Sequence, residues 1–223
     1  MSLELFLCAL FISAMDNTLI FDFGHGVDTP GKRSPDATKG LVNSPLYFRE
    51  YKYAREVGHV IADYLQQWFD IKILVPEEND IPLATRVKRC NDIVRSSNNP
   101  CYLISIHNNA AGRGEWMSAR GWSVWVSKKA SQKSKDLANS LYDAVAELGY
   151  KARQPHRNQK YWEENFYITT HSNCPAVLTE NFFQDNKEDV AFLLSEEGRN
   201  AVANIHVVGI MKYFNLPYTL IKG

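Results

Sequence analysis

Between positions 18 and 214 the chain alternates short apolar runs with longer stretches whose apolar residues return every third or fourth position. That alternation restricts the fold more than any other feature. Thr18–Phe23, the run at 71–75 stopped by Pro76, the run at 102–106 and Ala176–Phe183 read as buried strands, and 122–126 alternates like a further one. Ala54, Val57, Ile61, Leu65 and Trp68 predict an amphipathic helix over 48–68. Leu83, Val87, Cys90 and Val94 predict a second, and Leu137, Leu141, Val145 and Leu148 a third that Gly149 closes as a C-cap. The stretch 187–214 is helical, with a break near 196–198. Strands separated by helices predict an α/β fold: a single domain with a mostly parallel mixed sheet covered by helices on both faces. Ligands of such sheets gather at the carboxyl ends of strands. His25, His107 and Glu180 all fall at or near such ends.

At 223 residues the chain is long enough for one such domain and short for two. The 25 basic residues cancel the 25 acidic ones. This argues against a nucleic-acid partner, whose phosphates are ordinarily met by a basic surplus. No apolar run reaches the roughly 18–20 residues of a membrane span. Residues 3–15 have the length of a signal-peptide core, yet no Lys or Arg precedes them and Glu4 carries the wrong sign. They are read as part of an N-terminal extension, 1–17, before a catalytic domain at 18–215 and a short tail at 216–223. Cys8, Cys90, Cys101 and Cys174 show no CxxC spacing, so neither a zinc ribbon nor a disulfide framework is expected. Cys90 and Cys101 read as small buried hydrophobes.

His25 stands between Gly24 and Gly26, where the chain can turn tightly and leave the imidazole facing outward. His107 is followed by Asn108 and Asn109, which do not continue the apolar strand. Glu50 lies in the first turn of the 48–68 helix and points toward the same sheet edge. A hydrolytic zinc site needs about three such ligands, an open position, and a carboxylate that moves protons. Two histidines and a glutamate spread from 25 to 107 are nonetheless a set that any domain of this size produces. With Arg49, Arg55 and Glu56 beside it, Glu50 also has the look of a solvated helix face.

Four motifs in order lift this ambiguity. Phe21-Asp22-Phe23-Gly24-His25-Gly26 resembles the strand-Asp-Pro-Gly-His-Gly opening of the zinc-dependent N-acetylmuramoyl-L-alanine amidases of the Amidase_3 group. Glu50 ahead of a long amphipathic helix resembles that family's second metal ligand. Ser105-Ile106-His107-Asn108-Asn109-Ala110 is similar to the segment holding the third ligand. Pro175-Ala176-Val177-Leu178-Thr179-Glu180 resembles the strand that ends in the catalytic glutamate, and Asn186 also matches a family position. The sequence departs from the pattern at Phe23 (usually Pro), Ala54 (often Asn), Asn108 (Ala) and Phe182 (often Gly). The polar loop Thr29–Pro35 resembles versions in phage-type wall lysins.

The resemblance implies hydrolysis of the amide between N-acetylmuramic acid and L-alanine in peptidoglycan, at the bacterial wall. It implies one Zn²⁺ held by His25, Glu50 and His107, with Glu180 as general base and then general acid. The rival readings are another zinc hydrolase acting within the stem peptide, which product masses distinguish, and an inactive wall-binding module, which would lack a ligand or Glu180. Asn108, Asn109 and His171, the last in a polar loop before the Glu180 strand, are expected to line the substrate groove. Asp22 is expected either to orient His25, or another nearby polar group, as a supporting carboxylate or to cap the following turn. His59, His156 and His206 read as helix-surface, loop and helix residues, and Trp122 and Trp125 fall on opposite faces of a strand, which leaves room for at least one of them to be exposed.

Overall fold

A computed structural model describes residues 16–222; the apolar segment at 3–15 and Cys8 lie outside the described residues. Six strands form one sheet: β1 Thr18–Phe23, β2 Asp70–Ile73, β3 Cys101–Asn109, β4 Ser123–Val126, β5 Trp162–Glu163 and β6 Ala176–Phe183. Their order is β2-β1-β3-β6-β4-β5. All neighbouring pairs are parallel except β4 against β6. The central trio β1, β3 and β6 is almost wholly buried, as expected of strands covered on both faces.

The helices are α1 Pro35–Thr38, α2 Glu50–Leu65, α3 Leu83–Ser96, α4 Gln132–Glu147, α5 Tyr167–His171, α6 Lys187–Leu194 and α7 Glu196–Tyr213. Period-two alternation along the strands divides the core. Leu19, Phe21, Ile104, Ile106 and Val177 face the layer formed by α2, α4 and α7. Ile20, Leu103 and Leu178 face the other way, onto Val87 and Cys90 of α3 and Ile168 of α5. The expected 48–68 helix is therefore present over 50–65, and the expected break in the last helix falls at Ser195. That residue ends α6 and caps α7, its hydroxyl accepting from the Gly198 N–H. Gly149 follows α4 with φ 81°, as a C-cap glycine should.

Cys90 and Cys101 are buried as expected. Trp122 is fully buried, whereas Trp125 is half-buried and stacked on Trp162 with ring centroids 5.1 Å apart. The tail is docked: Leu216 joins the core, and Asn204 of α7 exchanges two hydrogen bonds with the Ile221 backbone. Phe23, which stands where the family usually has Pro, packs its ring against Gly58 of α2, where any Cβ would collide with it. Among the described residues no helix is long and apolar enough to cross a membrane.

Candidate metal centre

His25, Glu50 and His107 come from three different elements and meet beyond the carboxyl edge of the sheet. Their potential ligand atoms all lie within 4.8 Å of one another. Glu50 Oε1 is 3.3 Å from His25 Nε2 and 3.1 Å from His107 Nδ1, so a single carboxylate oxygen faces two imidazole nitrogens. The same oxygen accepts the Asn108 N–H at 3.0 Å, while Glu50 Oε2 is buried without a partner. Glu50 is fully buried, which overturns its alternative reading as part of a solvated helix face.

Local sequence explains how the three converge. His25 adopts φ 59°, a left-handed conformation that His tolerates better than most residues. Gly24 lets the two rings approach, since a Cβ there would lie 2.5 Å from His107 Nδ1. The rings meet edge to face with centroids 4.9 Å apart. Two arginines hold the turn by its carbonyls. Arg55 donates to the carbonyls of Gly24, His25 and Glu77. Arg86, 2% exposed, donates to the carbonyls of Phe23, His25 and Ile81 and to the carboxylates of Asp22 and Asp80. A buried guanidinium with every arm occupied is a rigid brace, because leaving any donor unpaired there costs about 1–3 kcal/mol.

Charge in the cluster follows from burial set against proximity. Burial opposes ionisation of Glu50, but its contacts with His107 and His25 outweigh this and hold its carboxyl below the usual carboxylate range. Burial lowers His25 despite Glu50. At His107 burial also pulls downward, but the Glu50 carboxylate prevails and raises it.

Glu180 sits beside this group because Glu180 on β6 and His107 on β3 are register partners. It is only partly exposed, its Oε2 is buried without a partner, and burial raises its carboxyl to about 7. Just beyond, the register slips from His107–Glu180 to Asn109–Phe183, so β6 carries one extra residue. The bulge places Phe182 at φ 63°, which accounts for glycine being common there in the family. It also turns Asn181 inward, where its Nδ2 donates to the His107 carbonyl at 3.0 Å and its Oδ1 accepts from Trp122 Nε1 at 2.7 Å.

The remaining expected site residues lie elsewhere. Asp22 does not touch His25: its two oxygens take Arg86 at 2.9 Å and the Ser105 hydroxyl at 2.6 Å, because its strand register sets it opposite Ser105. Asn108 is buried and its side chain donates to the Asn181 carbonyl, so its contribution to the cluster is its backbone N–H. Asn109 uses its side-chain oxygen on the Ala110 N–H. His171 ends α5 ahead of β6, toward the opposite sheet edge, stacked on Tyr167 and bonded through its carbonyl to Asn91 of α3. It does not join the cluster. Sequence reasoning missed Arg55, which it placed on a surface, and Asn181; a polar pair interrupting an otherwise apolar strand was the available signal.

Residues 19–212 match the family model described as N-acetylmuramoyl-L-alanine amidase, Amidase_3. Among curated proteins the chain is 25% identical over 205 residues to an endolysin of Bacillus phage SPP1, covering 91% of this chain and 68% of that one. It is 22% identical to the N-acetylmuramoyl-L-alanine amidase CwlM of Bacillus licheniformis, covering 89% and 69%. Among solved structures it resembles an N-acetylmuramoyl-L-alanine amidase from Clostridium difficile 630 with TM-score 0.71 at 24% identity, covering 89% of this chain and 97% of that one.

Proposed function

Because the chain belongs to the Amidase_3 family and is a peptidoglycan amidase, we propose that it is a one-zinc enzyme whose catalytic domain, 18–215, cleaves the N-acetylmuramic acid–L-alanine amide. The observation that carries the zinc reading is the single Glu50 oxygen shared by His25 and His107, with Glu180 unpartnered beside them. One zinc ion held by His25, Glu50 and His107 would supply Lewis-acid polarisation of the scissile carbonyl and acidify the attacking water.

The protein's own groups do the rest. Glu180, which lies beside the cluster with one buried oxygen unpartnered, accepts the water's proton and returns it to the alanine nitrogen as the C–N bond breaks. An amine leaves poorly unless protonated, so both transfers depend on this one side chain. Asn181 holds the His107 backbone and Asn108 holds Glu50, keeping the ligand atoms in place while the carboxyl of Glu180 moves its proton. The endolysin and CwlM likenesses support action at the bacterial wall on peptidoglycan.

Digestion of purified peptidoglycan followed by mass spectrometry tests this. Free peptides beginning with L-alanine are expected, lost on chelation, regained with Zn²⁺, and lost again in Glu180→Ala. Cleavage within the stem would overturn the bond assignment, and full activity in chelator would overturn the metal.

A further inference from the structure

On the face of the sheet covered by α3, two thiols meet where that helix packs against the segment leading into β6. Cys90 Sγ of α3 lies 3.9 Å from the Sγ of Cys174, which comes two residues before β6 and 84 residues later in the chain. Both are free thiols, as is Cys101. Backbone contacts fix their approach. Asn91, next to Cys90, donates through Nδ2 to the His171 carbonyl at 3.0 Å and accepts the Asn173 N–H through Oδ1 at 2.7 Å. The Pro175 carbonyl accepts the Leu103 N–H at 2.8 Å. The two neighbours of Cys174 are thus tied to α3 on one side and to β3 on the other.

The two sulfurs differ in access. Cys90 is 0% exposed, packed in the apolar layer that includes Val87, Leu103, Ile168 and Leu178. Cys174 is half-buried and forms part of the wall of a cavity of about 460 Å³, together with Ser127, Ser131, Thr170 and Asn173. That volume falls in the range of about 300–1,000 Å³ that takes a small molecule. A reagent entering the cavity therefore meets Cys174 first, and Cys90 waits behind it. An accessible thiol with a second thiol held at its back is the arrangement of an entry cysteine and a resolving cysteine.

We propose that Cys90 and Cys174 are a site of reversible oxidation, closed to a disulfide by a small-molecule disulfide RSSR that enters through the cavity. The Cys174 thiolate attacks one sulfur of RSSR, and the first RS⁻ leaves as a mixed disulfide forms. The Cys90 thiolate then attacks the Cys174 sulfur, making the internal bond and expelling the second RS⁻. The two cysteines give up two electrons and two protons, and RSSR takes them to become two RSH. Going from 3.9 Å to an ordinary bond of about 2.05 Å brings the sulfurs together by about 2 Å, within the sweep of rotation about Cα–Cβ. The bond joins α3, which carries Arg86 four residues before Cys90, to the strand that carries Glu180 six residues after Cys174. It staples the brace of the metal centre to the neighbouring strand. Surroundings outside a reducing cytosol favour the closed form.

The full chain, reduced and then incubated with oxidised glutathione without denaturant, tests it by alkylation, digestion and mass spectrometry. Peptides joined through Cys90 and Cys174 are expected, lighter by two hydrogens than the separate pair, with Cys101 alkylated. Excess reduced glutathione should return both thiols. Cys90→Ala should stop with one glutathionyl group on Cys174, and Cys174→Ala should leave Cys90 unmodified because no solvent reaches it. The oxidised wild type should melt about 5–15 °C above the reduced one, as a cross-link closing so long a loop predicts, and oxidation should not shift Cys174→Ala. Cys174 is only half-buried, so its variant keeps the test decisive if Cys90→Ala does not fold. Alkylation of both thiols after oxidation, a mixed disulfide that persists in the wild type, pairing of either with Cys8 or Cys101, or equal melting temperatures would overturn the proposal. None of these readouts involves peptidoglycan, so the site stands or falls apart from the amidase reading.

Discussion

Acid should weaken this fold through one buried histidine. His206 of α7 is fully buried, and its Nδ1 lies 2.8 Å from the carbonyl of Val202, so that nitrogen carries the proton. Its Nε2 then accepts from the Thr179 hydroxyl at 2.9 Å. Burial lowers this histidine to about 4, against 6.5 for an ordinary one. The folded pKa is depressed, so the contribution is complete above the unfolded value and is lost as pH falls from about 6.5 toward 4. At pH 5 the unfolded chain binds the proton and the folded one resists it, a difference of about 2 kcal/mol by linkage. Urea unfolding of the wild type and His206→Gln at pH 7.5 and pH 5 isolates this contribution, because His25 and His107 titrate in both proteins and cancel. The wild type should lose about 2 kcal/mol more than the variant between the two pH values. Equal losses would refute the argument and show that His206 takes up its proton without cost.

Four further outcomes are expected. Glu180→Gln should lower kcat by about 10²–10⁴-fold with zinc content unchanged, measured by elemental analysis beside turnover. In the metal-free wild type, NMR titration should find the Glu180 carboxyl protonating near pH 7, and a value near that of an ordinary glutamate would refute the effect of its burial. Zinc at a hundred times its Kd should raise unfolding free energy by about 2.7 kcal/mol, and Glu50→Gln should remove most of that rise. Phe182→Gly should be more stable than Phe182→Ala by about 1 kcal/mol, reversing the usual order, because only glycine sheds the cost of φ 63°. Both variants should fall below the wild type, since Phe182 is buried against Phe192.

The layers and the convergence of His25, Glu50, His107 and Glu180 were legible because each depends on local signals: strand runs, helical periodicity and four ordered motifs. What could not be read were contacts set by register. Asp22 looks like a partner for His25 because they are three residues apart, yet a strand directs alternate side chains to opposite faces, and cross-strand pairing gives Asp22 to Ser105. Asn181 depends on a bulge, which inserts a residue without a compositional mark when the left-handed position is filled by Phe182. Arg55 and Glu50 share a helix start that looks solvated in one dimension, and only the carbonyls of Gly24, His25 and Glu77 show why an arginine is kept inside.

The left-handed turn at His25 narrows what evolution can try there. Asn, Asp and His are the side chains other than glycine most at home in that region, and β-branched or bulky ones are strongly disfavoured. Each of those three carries an atom able to bind a cation. A lineage drifting at position 25 under selection for folding alone would therefore sample mostly residues that can still hold a metal. Loss of the ligand is most accessible through glycine, which suits the turn but brings no donor atom. Architecture and chemistry are screened at this position by the same backbone angle.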